Sequence, residues 1–402
     1  TKWLSEETEI SSYGFKKVIL WIFPLLACVS LLLTSIGSLH YSVFILIFLV
    51  NLLIILLNLK NTQSIHGELS GRYNFLSSLG SLLELIENEQ FESPLIGKIK
   101  EDIKVSRLSA VRALKQLSNI IRAFDSRLNL IVGFVLNGLL LWDLHCIRKI
   151  ESWKADYRGH FPGWLDLLGQ TDAFISLGNY SYNNPEFVFP ELADDKAPFR
   201  AKQLGHPLIA HDTRVCNDFS IPSKGRICII TGANMAGKST FLRSVAVNMI
   251  LAMAGAPVCA AEMKFMPVRL FTSMRTTDSL ASNESYFYAE LKRLRQLEQK
   301  ILSGEDILFI LDEILKGTNS EDKNVGSRLF LNRIISLGGT GLIAAHDTSL
   351  GSLEAEHPGV IINKCIEIEI DGEIIRFDFK LRDGIASKKN AVLLMKQMGI
   401  IP

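Results

Sequence analysis

The segment Gly232-Ala-Asn-Met-Ala-Gly237-Lys238-Ser239-Thr240 constrains the fold of this chain more than any other stretch. It fits the pattern G-x-x-x-x-G-K-[ST], a loop whose backbone N–H groups wrap phosphate oxygens. Such a loop works only between a buried strand and the N-terminus of a helix, where amides and helix dipole converge on the anion. Both flanks are present. Arg226 to Thr231 is a short apolar, β-branched run that reads as a buried strand, and Phe241 to Leu251 repeats apolar residues at helical spacing. Gly232, Asn234, Met235, Ala236, Gly237, Lys238, Ser239 and Thr240 are therefore the expected contacts to a nucleotide such as ATP. Lys238 would reach the β- and γ-phosphates, and the Ser239 hydroxyl would hold Mg²⁺.

Two more strand ends carry chemistry. Ile307 to Leu311 is an apolar run closed by Asp312-Glu313. In this setting Asp312 would hold Mg²⁺ through water, and Glu313 would orient and polarise the water attacking the γ-phosphate. Gly341 to Ala345 is a second apolar run, ending in His346. A histidine at a strand end is usually structural. Beside the carboxylate-bearing strand, His346 is expected to sense the γ-phosphate. From Phe199 onward strands alternate with helices, the signature of an α/β nucleotide-binding domain. Within it, Cys365 to Phe379 alternates around Asp371-Gly372 and reads as a β-hairpin.

The chain outside this domain has a different composition. Of 402 residues 48% are hydrophobic, and the excess lies before residue 60. Val18–Ile36 and Ser42–Leu59 are nearly unbroken apolar runs around a turn at Gly37–Tyr41, each close to the ~20 residues that cross a bilayer. Lys16, Lys17 and Lys60 flank the open end and the tip carries no Lys or Arg, so both ends are expected on the cytoplasmic side. That places the chain in the inner (cytoplasmic) membrane with its ATP site facing the cytoplasm. Residues 61–198 read as a helical domain that ends in a turn-rich linker after Asn183. Leu128–Trp142 is apolar but short, and reads as a buried helix in preference to a membrane segment. Net charge is +1, with 43 Lys and Arg against 42 Asp and Glu, which gives no general electrostatic drive toward nucleic acid. The six cysteines form no C-x-x-C pair and read as reduced thiols.

Five blocks in order make residues 200–402 resemble the ATPase domain of the MutS family. These are Gly205-His206-Pro207, the phosphate loop with Asn234-Met235, Asp278 to Glu290, Leu311 to Asn319, and Asp383 to Pro402. The resemblance implies an α/β P-loop NTPase domain of the ABC/MutS type at 199–402, using ATP and Mg²⁺. It also makes the helical stretch at 61–198 a counterpart of the family's lever, behind a membrane hairpin at 1–60. It implies a homodimer through the ATPase domains, in which Ser285 of one copy approaches the γ-phosphate held by the other. The same serine is also good capping chemistry for a helix from Tyr286 to Leu302. Lys316 stands where the family has arginine, which keeps the charge and loses the planar fork.

The leading expectation is thus a membrane-anchored ATPase that couples hydrolysis in a composite dimer site to conformational change, with an unnamed protein partner. The alternative is a DNA-binding mismatch-repair or recombination ATPase localised at the membrane. A transporter would need an L-S-G-G-Q signature between the phosphate loop and the Asp312-Glu313 strand end. The look-alike Leu69-Ser70-Gly71-Arg72 lies upstream of Lys238 instead.

Overall fold

The computed structural model describes residues 14–104, 110–193, 197–274, 286–371 and 374–387, with residues 395, 400 and 401. Contacts divide the chain into two compact units, Thr1–Ser176 and Leu177–Pro402.

The first unit is helical. Helix α1 (Gly14–Ser35) and helix α2 (Tyr41–Leu57) pack on each other. The turn between them closes as Gly37, at φ 77°, lets Gly37 N–H donate to Thr34 O and Ser38 N–H to Leu33 O, each at 3.0 Å. A glycine in the left-handed region is the usual way to satisfy a helix's last carbonyls. His40 then caps α2 by accepting from Ser42 N–H at 3.4 Å. The pair is inverted relative to a soluble bundle, with Trp21, Leu25, Leu32, Leu46 and Leu57 each more than half exposed. Inside lie Leu20, Ala27, Ser30, Asn51 and Ile55. Among the described residues one helix, over Val18–Ser35, is long and apolar enough by itself to cross a membrane. Up to three do so if each bent helix pair forms one span.

The rest of the unit follows ordinary amphipathic logic. Helices α3 (Leu59–Leu69), α4 (Tyr73–Asn88), α5 (Pro94–Lys104), α6 (Ala110–Phe124), α7 (Leu130–Leu140) and α8 (Trp142–Tyr157) follow in order, and the unit ends within α9 (Phe161–Asn183), whose last residues from Leu177 belong to the second unit. Leu83, Leu114, Ile121, Phe124, Ile150 and Trp153 share one core, contributed by α4, α6 and α8. The Trp153 indole N–H donates to Ala113 O at 2.7 Å, which fixes α8 against α6 and leaves no buried donor unpaired there. α7 corrects the expectation of a buried helix. Only Gly133, Asn137 and Gly138 of it are buried, while Leu130 is 86% and Ile131 77% exposed.

The second unit holds two sheets. The stretch after Asn183, expected to be a linker, is knitted into the smaller one. Val188 and Val258 exchange backbone hydrogen bonds, and strand β1 (Glu191–Leu192) pairs in parallel with strand β5 (Glu262–Phe265). Strands β2 (Phe199–Leu204) and β3 (Asn217–Ile221) complete it in the order β1-β5-β2-β3.

The larger sheet contains strands β4 (Ile227–Gly232), β6 (Arg269–Ser273), β7 (Ile307–Asp312), β8 (Thr340–Ala345), β9 (Ile361–Asp371) and β10 (Ile374–Asp383). Their order is β10-β9-β4-β8-β7-β6, parallel from β9 to β6 with β10 antiparallel at the edge. β4, β7 and β8 are buried at every position, which is why they read as continuous apolar runs and not as alternations. Helices α10 (Lys238–Met253), α11 (Tyr286–Leu302), α12 (Ser320–Ser336) and the short α13 (Leu353–Glu356) connect them. All six cysteines are free, five of them buried or half-buried and Cys28 exposed.

Candidate ATP site

Because β4, β8 and β7 are adjacent and parallel, their C-terminal ends open on one edge of the sheet, where ligands of open α/β sheets bind. β4 delivers the glycine loop there, β7 delivers Asp312 and Glu313, and β8 delivers His346. Pairing fixes the alignment, with Thr231 opposite Ala345 and Asp312 opposite Ala344.

Two glycines of the loop have steric reasons to be glycine. A Cβ on Gly232 would stand 2.7 Å from Ile366 O of β9, so β4 could not lie this close to its neighbour with any larger residue. Gly237 sits at φ 100° and its added Cβ would meet the Phe379 ring at 2.9 Å. Met235, at φ 65° and 75% exposed, carries the loop's other left-handed turn, while Ala236 beside it is buried. Helix α10 begins at Lys238. Its first-turn amides face the loop with no acidic side chain competing for them.

Lys238 is 5% exposed. Its ammonium donates to Gly232 O at 2.8 Å and Ala233 O at 2.9 Å, and lies 3.4 Å from His346 Nδ1. Burial pushes its pKa below the ordinary value, against the opposing charges of Glu313 and Asp312 and in concert with Lys316. A buried ammonium held mostly by neutral carbonyls is under-compensated, so an incoming anion such as a phosphate suits it.

Glu313 is the hub of the site. Its Oε1 lies 2.5 Å from His346 Nε2, and its Oε2 lies 3.8 Å from Lys316 Nζ. The assignment that satisfies both ring nitrogens is Nε2–H donating to Glu313 and Nδ1 accepting from Lys238. Burial alone would raise the Glu313 carboxyl. The hydrogen bond and charge of His346, with Lys316 and Lys323, outweigh it, and the carboxyl lies below its ordinary range. The backbone here is strained, with Glu313 at φ 56° and Leu315 at φ 59°. Left-handed non-glycine residues cluster at functional sites, where surrounding structure holds them in place.

Glu290 supplies that hold. Its carboxylate, 3% exposed on α11, accepts from Leu315 N–H at 2.7 Å and Lys316 N–H at 3.0 Å. Gly317, the next residue of the turn, packs so closely on α11 that an added Cβ would stand 2.8 Å from Phe287 Cβ. Sequence reading took Glu290 only as part of a pattern. An acidic residue on an otherwise amphipathic helix gives no sign that it faces inward.

A cavity of about 220 Å³ adjoins the loop, lined among others by His206, Ile209, Met235, Thr240, Phe241 and Phe379. Phe379 reaches it from a β-bulge, at φ 54°, where β10 shifts register between Phe377 and Leu381. Asn217 pins the bulge by donating to Phe379 O at 3.0 Å and accepting from Leu381 N–H at 2.8 Å. An apolar pocket with an aromatic wall beside a phosphate loop has the shape and chemistry to take a nucleobase. Nothing in the alternation of β10 marked Phe379, because a bulge is invisible to a period-two pattern.

The structure brings together Gly232, Asn234, Met235, Ala236, Gly237, Lys238, Ser239, Thr240, Asp312, Glu313 and His346 on this edge. Ser285 lies outside the described residues, immediately before α11. Among the described residues no three His, Cys, Asp or Glu side chains cluster as a metal site. The Ser239 hydroxyl and Asp312 carboxylate are hard oxygen donors of the kind Mg²⁺ takes when phosphate oxygens and water complete its shell.

Comparison with known proteins matches the family model for MutS domain V to residues 228–402. The DNA mismatch repair protein MutS of Thermotoga petrophila is 33% identical over 225 residues, covering 55% of this chain and 27% of that protein. The same protein of Lachnoclostridium phytofermentans is 34% identical over 296 residues, covering 71% of this chain and 31% of its own length. Human MutS protein homolog 4 is 24% identical over 349 residues, covering 82% and 35%. This chain therefore spans about a third or less of these relatives' own length.

Proposed function

The chain belongs to the MutS family through its domain V, and from that premise we propose that it is a membrane-anchored ATPase. In this reading, hydrolysis in a composite dimer site drives a conformational change. The observation that carries the proposal is the hydrogen-bonded chain Glu313–His346–Lys238, at 2.5 and 3.4 Å, on the strand edge that also bears the phosphate loop.

Each side chain then has a task. Lys238 turns from the loop carbonyls to the β- and γ-phosphates. Phe379, with His206 and Ile209, holds the base. Ser239 and Asp312 hold Mg²⁺, which when bound neutralises charge on the transferred phosphoryl group. Glu313 Oε2 accepts a hydrogen bond from the attacking water. His346 keeps Oε1 engaged, so that the carboxylate presents one defined oxygen. The His346 Nδ1 contact with Lys238 lets the occupancy of the phosphate site bear on the position of Glu313. Ser285 of a second copy adds a hydroxyl to the γ-phosphate, which makes hydrolysis depend on dimerisation because developing charge needs that donor.

The two exposed apolar helices α1 and α2 support the anchor, and Lys16, Lys17 and Lys60 at their open end support a cytoplasmic ATP site. The two bacterial relatives named above are DNA mismatch repair proteins, so DNA engagement is the competing reading. The net charge of +1 lends it no help.

The test is ATP hydrolysis by the full chain in vesicles or detergent, with and without duplex DNA across a salt series. Turnover that rises with protein concentration, falls on Ser285→Ala and ignores DNA supports the proposal. Turnover independent of concentration and unaffected by Ser285→Ala removes the composite site. DNA-stimulated turnover with salt-dependent binding favours the mismatch-repair reading.

A further inference from the structure

The segment 128–141 is left unexplained by the ATPase and by the two-helix anchor. α7 presents Leu130, Ile131, Phe134 and Val135 outward, all at least 42% exposed, with Leu128 just before them. A water-facing helix of this composition would be costly, at ~25 cal/mol per Å² of apolar surface. Its polar and small residues all turn the other way. Gly138 lies so close to α2 that a Cβ there would stand 2.1 Å from the Phe48 ring. Asn51 Nδ2 donates to Gly138 O at 2.7 Å, and Phe134 rests on Phe48 with ring centroids 5.3 Å apart. Lower down, Leu141 joins Leu20 of α1 and Ile55 of α2 in one buried cluster. The partners advance together along both helices, Phe48 with Phe134, Asn51 with Gly138 and Ile55 with Leu141, so α7 runs in the same direction as α2 and its bare face continues the bare face of that pair.

The ends of the segment are built for a medium without water. Asn129 Oδ1 accepts from Ile131 N–H at 3.1 Å and Val132 N–H at 3.2 Å, while its own carbonyl accepts from Gly133 N–H at 2.8 Å. At the other end Asn137 O accepts from Leu141 N–H at 3.1 Å, and Asn137 Oδ1 accepts from Asp143 N–H at 2.9 Å. In hydrocarbon every backbone group must find such a partner within the protein. Eleven residues rise only about 16 Å, half of a ~30 Å hydrocarbon core. Arg127 and Asp143 flank the segment on its two sides and pair at 3.4 Å, so the chain comes back to the level it left.

We propose that residues 128–141 are a third membrane-embedded element, a re-entrant segment seated on α2, with lipid acyl chains covering Leu130, Ile131, Phe134 and Val135. It enters and leaves on the side of Lys60, because both flanking helices, α6 and α8, pack into the helical core of the first unit. The inference rests on the membrane reading of α1 and α2. It adds that the helical domain is inserted in the bilayer at a second place, so that motion of α6 and α8 works directly against lipid.

The experiment uses the full chain with Cys28 and Cys216 replaced by serine, reconstituted in phosphatidylcholine vesicles. Nitroxide labels are placed at Ile131→Cys, at Val135→Cys, and at the hairpin control Leu46→Cys. Collision with oxygen, which partitions into lipid, is compared with collision with a water-soluble nickel chelate. The expected result is the same oxygen-dominated ratio at all three positions. Nickel-dominated collision at 131 and 135 with oxygen-dominated collision at 46 overturns the re-entrant segment and leaves the hairpin standing. Low collision with both reagents at 131 and 135 means that protein covers the face and also overturns it. Nickel-dominated collision at 46 as well defeats the membrane reading together with this inference.

Discussion

Replacing Glu290 by glutamine tests whether the geometry of the site is held by a residue that touches no substrate. The Glu290 carboxylate accepts two backbone hydrogen bonds, from Leu315 and Lys316, while almost fully buried. Bonds to a charged acceptor are worth about 1.5–3 kcal/mol each. Glutamine keeps one acceptor and turns an NH₂ toward the other N–H, leaving a buried donor unpaired at a further ~1–3 kcal/mol. Against this hold stands the strain of Glu313 and Leu315 in left-handed backbone, about 1–2 kcal/mol per residue. Losing one bond brings hold and strain to similar size, so the turn relaxes and Glu313 leaves its position against His346. If roughly 1.4–2.7 kcal/mol of the loss appears in the transition state, kcat falls by about 10- to 100-fold. The Lys238 loop sits on different strands, so nucleotide affinity changes little. Phosphate release under saturating ATP, set beside titration with a fluorescent ATP analogue, reads both quantities. Full turnover in Glu290→Gln would refute the clamp. An equal loss of binding and turnover would show that Glu290 merely keeps the domain folded.

Glu313→Gln should retain ATP binding and lower turnover by about 10²- to 10⁴-fold, the range for removing a general base; unchanged hydrolysis removes Glu313 from that role. The same variant gives a pH prediction. The Glu313 carboxyl lies below its ordinary value of 4.5, so between the two values the unfolded chain binds more protons than the folded one. Its stabilisation is therefore complete above 4.5 and is lost as pH falls through the depressed folded value. The melting-temperature gap between wild type and Glu313→Gln should accordingly be present at pH 7 and close under acid, and a gap independent of pH contradicts the His346–Glu313 pairing. Phe379→Ala should weaken nucleotide affinity by roughly tenfold, since stacking on a base is worth ~1–3 kcal/mol. It should leave saturated turnover near wild type; an unchanged Kd would mean that the base binds elsewhere.

Much of the second unit was legible because its signals are local. A strand buried on both faces reads as an apolar run, and the glycine loop demands the helix after it. Hence β4, α10, β7 and β8 stand where the runs at 226–231, 241–251, 307–311 and 341–345 put them. Strand order was not legible, since β9 lies beside β4 although more than a hundred residues of chain separate them. Nor was the strand pairing of Val188 and Glu191 with β5, because backbone partners at long range leave no trace in side-chain periodicity.

The site shows the same division more sharply. Lys238, Asp312 and Glu313 belong to a motif whose spacing is set by the phosphate, so composition and position suffice to find them. Glu290 and Phe379 serve the site through tertiary accidents, a helix rotated to aim one carboxylate inward and a bulge that turns one ring. Both residues depend on strained backbone, at Glu313, Leu315 and Phe379 itself, and strain is a property of three-dimensional support that no short window of residues encodes. The apolar helix α7 failed for the opposite reason. Its hydrophobic run says that it avoids water and nothing about whether protein or lipid provides the shelter. Only the direction of Asn137, Gly133 and Gly138, all buried against the protein, shows that the remaining face must find its apolar surroundings elsewhere.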